Sequence, residues 1–155
     1  MRQLTILLIA VLMCSLSAWS QSSMIVNLGT EVLNNNTLSS AKQSFRHNAM
    51  PLQTMPSGKY GYISEHPLLM AVVDFEGDAE NSIKEVDFLC GLAMWYGIED
   101  CLESAGYSLI KTGNATLGNG DVVPQKTYSQ DSIICLVQTI DRNNKQIIFK
   151  HKPRK

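Results

Sequence analysis

The residues from Phe88 to Ile98 form a run of eleven without a charge. Shortly before this run, Ser82 and Glu85 have the spacing of a capping box, in which the serine caps a helix and the glutamate bonds back to it. Apolar residues then recur at helical spacing until Gly106, a residue type that often ends helices. The sequence therefore predicts one long helix from about Ile83 to Ala105. Because this helix would be apolar all round, it has to be covered on both sides.

Segments on either side of the predicted helix have the alternating apolar pattern of β-strands. Leu68–Phe75 is apolar on both faces, which favours an internal strand, and the turn Asp141–Lys145 joins the last two segments into a hairpin. We therefore predict a single-domain α+β fold, with a curved antiparallel sheet of five or six strands packed on the one long central helix. The predicted strands are Lys59–Ser64, Leu68–Phe75, Tyr107–Thr112, Val122–Tyr128, Ser132–Ile140 and Gln146–His151.

The N-terminus has the three parts of a secretory signal peptide. Arg2 supplies the positive end, the apolar run Leu4–Cys14 follows, and Ala18–Ser20 provides the small residues of a cleavage site. We predict that residues 1–20 are removed and that the product is secreted or periplasmic, with no transmembrane span after cleavage. A retained anchor, a buried N-terminal helix and a lipid-modified Cys14 are the alternatives.

Residues 21–58 are rich in Ser and Asn and poor in charge. Within this segment, Met24–Leu28 has the pattern of a strand and Leu38–Phe45 that of a short helix. We expect residues 21–58 to form an adaptable N-terminal arm and residues 59–155 to form the α+β core domain.

The charge is nearly balanced over the 155 residues, with 13 Lys and Arg against 14 Asp and Glu. A dedicated nucleic-acid-binding protein needs clustered excess positive charge, so this class is excluded. The balance hides an uneven distribution, because nine acids and one base lie between Asp74 and Glu103, whereas six bases and no acid lie between Arg142 and Lys155. Opposite local charges of this kind leave room for an electrostatic interface with a partner.

Within the acidic part, oxygen-bearing side chains follow the ligand spacing of an EF-hand calcium loop. Ala79 stands where the loop needs glycine, and the preceding segment is a predicted strand rather than a helix. A calcium-binding module is therefore an alternative to a solvated acidic turn, and no cofactor is part of the main prediction. The carboxylates that would bind the ion are those of Asp74, Glu76, Asp78, Glu80 and Glu85.

After cleavage the chain keeps Cys90, Cys101 and Cys135, so at most one internal disulfide can form and its pairing stays open. Leu89–Leu92 resembles the nucleophile region of the NlpC-type peptidases, secreted enzymes that cut cell-wall peptides. The resemblance covers only these residues, and the aspartate that precedes the family's cysteine is missing here. A cysteine hydrolase with Cys90 as nucleophile would have His151, the one histidine that follows it, as its base.

The leading hypothesis is a non-catalytic binding protein that recognises another protein or a cell-envelope component. An inhibitor or immunity-type protein is one version of it, and a homodimer is compatible with the sequence. Aromatic anchors ringed by charge are typical of protein interfaces. Asn35 and Asn114 lie in glycosylation sequons, which matter only in a eukaryotic source. We expect the binding surface to comprise Tyr60, Tyr62, Asp74, Glu76, Asp78, Glu80, Phe88 and Trp95.

Overall fold

The computed structural model describes residues 20–76 and 82–153. Apart from residue 20, the predicted signal peptide lies outside these ranges. The helical segments within them are α1 over residues 20–35, α2 (Leu38–His47), α3 (Leu92–Trp95) and α4 (Ile98–Ser104).

The described residues also form one sheet of eight strands, in which all neighbours are antiparallel. The strands are β1 (Gln53–Thr54), β2 (Tyr60–Glu65), β3 (Leu68–Phe75), β4 (Ile83–Gly91), β5 (Ser108–Thr116), β6 (Val122–Gln130), β7 (Ile133–Thr139) and β8 (Asn144–His151). Their order across the sheet is β1-β2-β3-β4-β8-β7-β6-β5. Two four-stranded meanders therefore meet where β4 pairs with β8.

The predicted long helix is wrong, because Ile83–Gly91 is the strand β4. Its side chains alternate with period two: Phe88 and Cys90 are buried on one face, and Leu89 between them is half-buried on the other. Within the predicted helix the chain is helical only after β4, and there Gly97, with a φ of 75°, separates α3 from α4. The sheet has eight described strands rather than five or six, since the sequence pattern predicts neither β1 nor β4.

The predicted capping box is also wrong. Ser82 lies just before β4 and donates a hydrogen bond from Oγ to Glu76 Oε2 at 3.3 Å. The N–H of Ile83 donates to the side-chain Oδ1 of Asn36 at 2.7 Å. These two bonds fix the start of β4 beside the end of β3 and the turn after α1.

The remaining predicted strands are confirmed, with shifts of a few residues at their ends, as β2, β3, β5, β6, β7 and β8. β3 is internal, between β2 and β4, as its apolar faces predict. The predicted hairpin between β7 and β8 is present, and Asp141 Oδ1 accepts hydrogen bonds from the N–H groups of Asn143 at 2.7 Å and Asn144 at 2.9 Å.

The predicted strand at Met24–Leu28 is wrong, because these residues lie within α1. Ile25, Leu28 and Val32 recur at helical spacing, and all three are buried. The predicted short helix is confirmed as α2, which begins after the N-cap Thr37.

α1 and α2 cover one face of the sheet, which we call the helix face. Phe45 of α2 stacks on Phe88 with ring centroids 6.2 Å apart, and Gly29 of α1 lies so close to the Phe149 ring that a Cβ would overlap it. Buried side chains opposite one another on neighbouring strands continue this packing across the sheet. One such row consists of Val73, Val86, Phe149, Cys135 and Tyr128.

Candidate binding surface

The other face of the sheet, which we call the open face, includes two adjacent rows of side chains that lie opposite one another in register. The buried core that unites the described helices with the sheet contains none of these side chains. The first row is Val72, Asp87, Ile148, Leu136 and Thr127, on β3, β4, β8, β7 and β6. The second row, on the same strands, is Met70, Leu89, Gln146, Gln138 and Gln125.

Three glutamines stand directly opposite one another on β8, β7 and β6 and form an amide row (Gln146, Gln138 and Gln125). Gln138 donates from Nε2 to Gln125 Oε1 at 2.8 Å, and Gln125 makes a longer contact of 3.5 Å from Nε2 to Thr127 Oγ1. Gln138, at the middle of the row, is only 7% exposed. Its neighbours on the open face therefore hold a polar amide in a largely dehydrated position.

Asp87 extends the polar groups of the amide row onto β4. Its Oδ2 accepts a hydrogen bond from Gln146 Nε2 at 2.6 Å, while its Oδ1 is buried and has no partner among the described residues. Burial raises the pKa of this carboxyl to about 6, and the nearby charge of Glu85 acts in the same direction. The open face thus contains a carboxylate oxygen that no donor among the described residues satisfies.

Apolar side chains surround these polar groups. Met70, Val72 and Leu89 lie on the β3–β4 side, and Leu136 and Ile148 lie beside the amide row. All five are half-buried. An apolar surface with a few fixed polar groups is the composition found at the core of protein interfaces.

The predicted aromatic anchors lie elsewhere. Phe88 is fully buried on the helix face and cannot touch a partner. Tyr60 and Tyr62 stand in register with helix-face residues of β3, and the Tyr60 ring packs edge-on against Phe75 with centroids 6.0 Å apart.

Trp95 is occupied by contacts within the chain. Its Nε1 donates to the carbonyl oxygen of Asn143 at 2.9 Å, and Lys145 Nζ lies 4.4 Å from the centre of its ring. Lys145 also pairs with Glu99 of α4 at 3.5 Å. These contacts hold α3 and α4 against the beginning of β8.

The predicted acidic residues do not form a calcium site in the described ranges. Asp74 is the last residue but one of β3 and pairs with Lys59 at 2.9 Å, and Glu85 stands opposite it on β4. Glu76 is exposed, while Asp78 and Glu80 lie outside the described residues. Within 20–76 and 82–153, no group of three His, Cys, Asp or Glu side chains is placed to hold a metal ion.

The structure does not bring Cys90 and His151 together. Cys90 stands opposite Lys145, and His151 lies six residues further along β8, a distance of about 20 Å along an extended strand. Cys90 is fully buried, and burial raises the pKa of its thiol, which opposes formation of a thiolate nucleophile. Cys101 and Cys135 are likewise buried thiols.

Comparison with known protein families, with curated proteins and with solved structures finds no match. No helix among the described residues is long and apolar enough to cross a membrane.

Proposed function

We propose that the protein is an exported, non-catalytic binding protein that holds a partner protein on the open face. The observation that carries this proposal is the amide row, set among half-buried apolar side chains on the face that the described helices leave uncovered. Asp87 is the only charged member of these two rows, and the charged residues Asp74, Glu85 and Lys150 stand in the next row of the same face. Depletion of charge with a few fixed hydrogen-bonding groups is typical of the centre of protein interfaces.

The chemistry of the partner follows from Asp87. Its Oδ1 is buried without a hydrogen bond from any described residue, and an unsatisfied buried acceptor is costly. A partner that places a backbone N–H or a Lys or Arg side chain opposite this oxygen would remove the cost, while its apolar side chains cover Leu136 and Ile148. We therefore expect an apolar partner surface with a hydrogen-bond donor at its centre.

A matched pair of variants tests the proposal. Leu136→Lys places a charge in the middle of the open face, and Val122→Lys places the same charge at a 65% exposed position outside the two rows. Affinity capture from the native extracellular or periplasmic extract should recover the same protein with the wild type and with Val122→Lys. Leu136→Lys should weaken its binding by roughly 30-fold or more, as expected for loss of an interface centre.

Melting temperatures of the variants separate a loss of binding from a loss of folding, and Leu136→Gln provides a milder second variant. Equal capture by the wild type and by folded Leu136→Lys would contradict the proposal, as would the absence of any captured protein.

A further inference from the structure

The acids of the open face on β3 and β4 differ in what stands beside them. Asp74 pairs with Lys59 at 2.9 Å. Glu85 stands opposite Lys150 on β8. Each of these two acids therefore has a lysine of the same chain next to it.

Asp87 has apolar neighbours instead. It stands between Val72 on β3 and Ile148 on β8, and it forms no ion pair with any residue in 20–76 or 82–153. Lys59 lowers its pKa but is itself paired with Asp74. With a pKa of about 6, Asp87 is ionised at neutral pH. A negative charge thus lies in the middle of the open face without a cation bound to it, and a nearby cation would stabilise it.

The hydrogen bonds of Asp87 and Gln146 leave an acceptor oxygen on each residue. Gln146 donates from Nε2 to Asp87 Oδ2 at 2.6 Å, whereas its own Oε1 accepts no hydrogen bond from a described residue. Asp87 Oδ1 is buried and likewise receives no donor from the described residues. The two side chains are joined by the hydrogen bond, so both acceptors belong to one small polar site on β4 and β8.

The guanidinium group of arginine matches this site better than the other donors of a protein. It is planar and always charged, and its several N–H groups can donate to both oxygens at once. A backbone N–H is uncharged and supplies a single donor, and an ammonium group is compact and strongly hydrated. Leu89 and Ile148 flank the site on β4 and β8, where they can pack against the aliphatic part of an arginine side chain.

We propose that the partner places an arginine side chain at this site, with its guanidinium donating to Asp87 Oδ1 and to Gln146 Oε1. This inference rests on the proposed function and adds the residue type that the partner supplies. The arginine takes the place beside Asp87 that lysines of the chain take beside Asp74 and Glu85. Arginine is enriched in interfaces and at their energetic centres, whereas lysine is depleted there.

A matched pair of variants tests the role of the Asp87 charge. Asp87→Asn removes the charge, keeps the shape of the side chain and can still accept the hydrogen bond from Gln146. It should weaken binding of the captured partner by roughly 30-fold or more, as expected when a buried charge loses its partner. Glu85→Gln removes the same charge from the same strand and face, and should weaken binding by less than about five-fold. An unchanged affinity of Asp87→Asn, or equal losses in both variants, would overturn the proposal.

Chemical modification of the extract separates arginine from lysine without knowledge of the partner. Phenylglyoxal reacts selectively with guanidinium groups, and acetic anhydride reacts with amines. The extracellular or periplasmic extract is treated with one reagent or the other and then offered to the immobilised wild type. The captured protein should be lost after phenylglyoxal treatment and recovered after acetylation.

Protection in the preformed complex identifies the arginine itself. When the complex is treated with phenylglyoxal, mass spectrometry should find one arginine of the captured protein unmodified, and the same arginine should react after dissociation. If both reagents prevent capture, this protection decides between a specific arginine and general damage. A complex in which every arginine of the captured protein reacts would overturn the inference and leave the proposed function intact. The proposed function itself fails separately, if nothing is captured or if folded Leu136→Lys captures as well as the wild type.

Discussion

At the scale of single residues, Asp87 is the most unusual side chain of the open face. One carboxylate oxygen accepts a hydrogen bond from Gln146, and the other is buried and has no partner in residues 20–76 and 82–153. Its pKa of about 6 is above the ordinary value of 3.8. Between these two pH values, the folded protein therefore keeps a proton on this carboxyl that the unfolded chain has already released. The ionised carboxylate is therefore a cost to the isolated protein at neutral pH, which is consistent with a role in binding rather than in stability.

Asp87→Asn should show this cost directly. The free energy of unfolding of the wild type should fall as the pH rises from about 4 to about 6, by up to about 3 kcal/mol, and the variant should lack this fall. Urea denaturation at several pH values measures the effect. Asp74→Asn is a control of opposite sign, because Lys59 and the Phe75 N–H hold the pKa of Asp74 below its usual value. Its contribution is present at neutral pH and is lost on acidification. If the free energy of unfolding depended on pH in the same way in the wild type and in Asp87→Asn, the raised pKa assigned to Asp87 would be contradicted.

The sequence identifies chemically plausible binding residues but not the side of the sheet on which they lie. Phe88 and Leu89 are adjacent and both apolar, yet one is buried under α2 and the other lies on the open face. Which face receives the helices depends on contacts between distant segments, such as that of Phe45 with Phe88. The glutamines of the amide row were not predicted, since Gln125, Gln138 and Gln146 become neighbours only through strand pairing.

At the scale of elements, the sequence predicts well where its signal is local. Alternation and turn residues predict six of the eight described strands and the β7–β8 hairpin. It fails at β4, because the buried residues Ile83, Val86 and Cys90 of this strand also recur at helical spacing. The predicted helix has small residues, such as Cys90, along one side. Small residues also fit a strand that lies between two others, as β4 lies between β3 and β8.

A pair of variants tests whether the residues after Ser82 form the strand β4 rather than a helix. Thr37 caps α2 and accepts a hydrogen bond from the N–H of Ser40 at 3.2 Å, so Thr37→Ala should lower the free energy of unfolding by about 1 kcal/mol. Ser82 caps no helix and makes one exposed side-chain contact, so Ser82→Ala should change stability by less than about 0.5 kcal/mol. Chemical denaturation measures both, and a larger loss for Ser82→Ala than for Thr37→Ala would favour the capping box.

At the scale of the whole molecule, the described helices and the sheet form two layers. The helices cover one side of an eight-stranded sheet, and the other side presents an organised mixture of amides and apolar groups. The near-zero net charge of the chain gives no sign of this surface, because a total over the chain does not show where charged and uncharged side chains lie. The surface combines residues from β3 to β8, between 70 and 148 in the sequence, so no local motif could reveal it.

The side-chain amide NMR signals of Gln125, Gln138 and Gln146, recorded with and without the captured partner, test the central claim most directly. If the partner occupies the open face, these three signals should shift or broaden on its addition, while the amide signal of Gln43, exposed on α2 on the helix face, stays unchanged. A bound partner that leaves the three glutamine signals unchanged and perturbs another surface would contradict the claim.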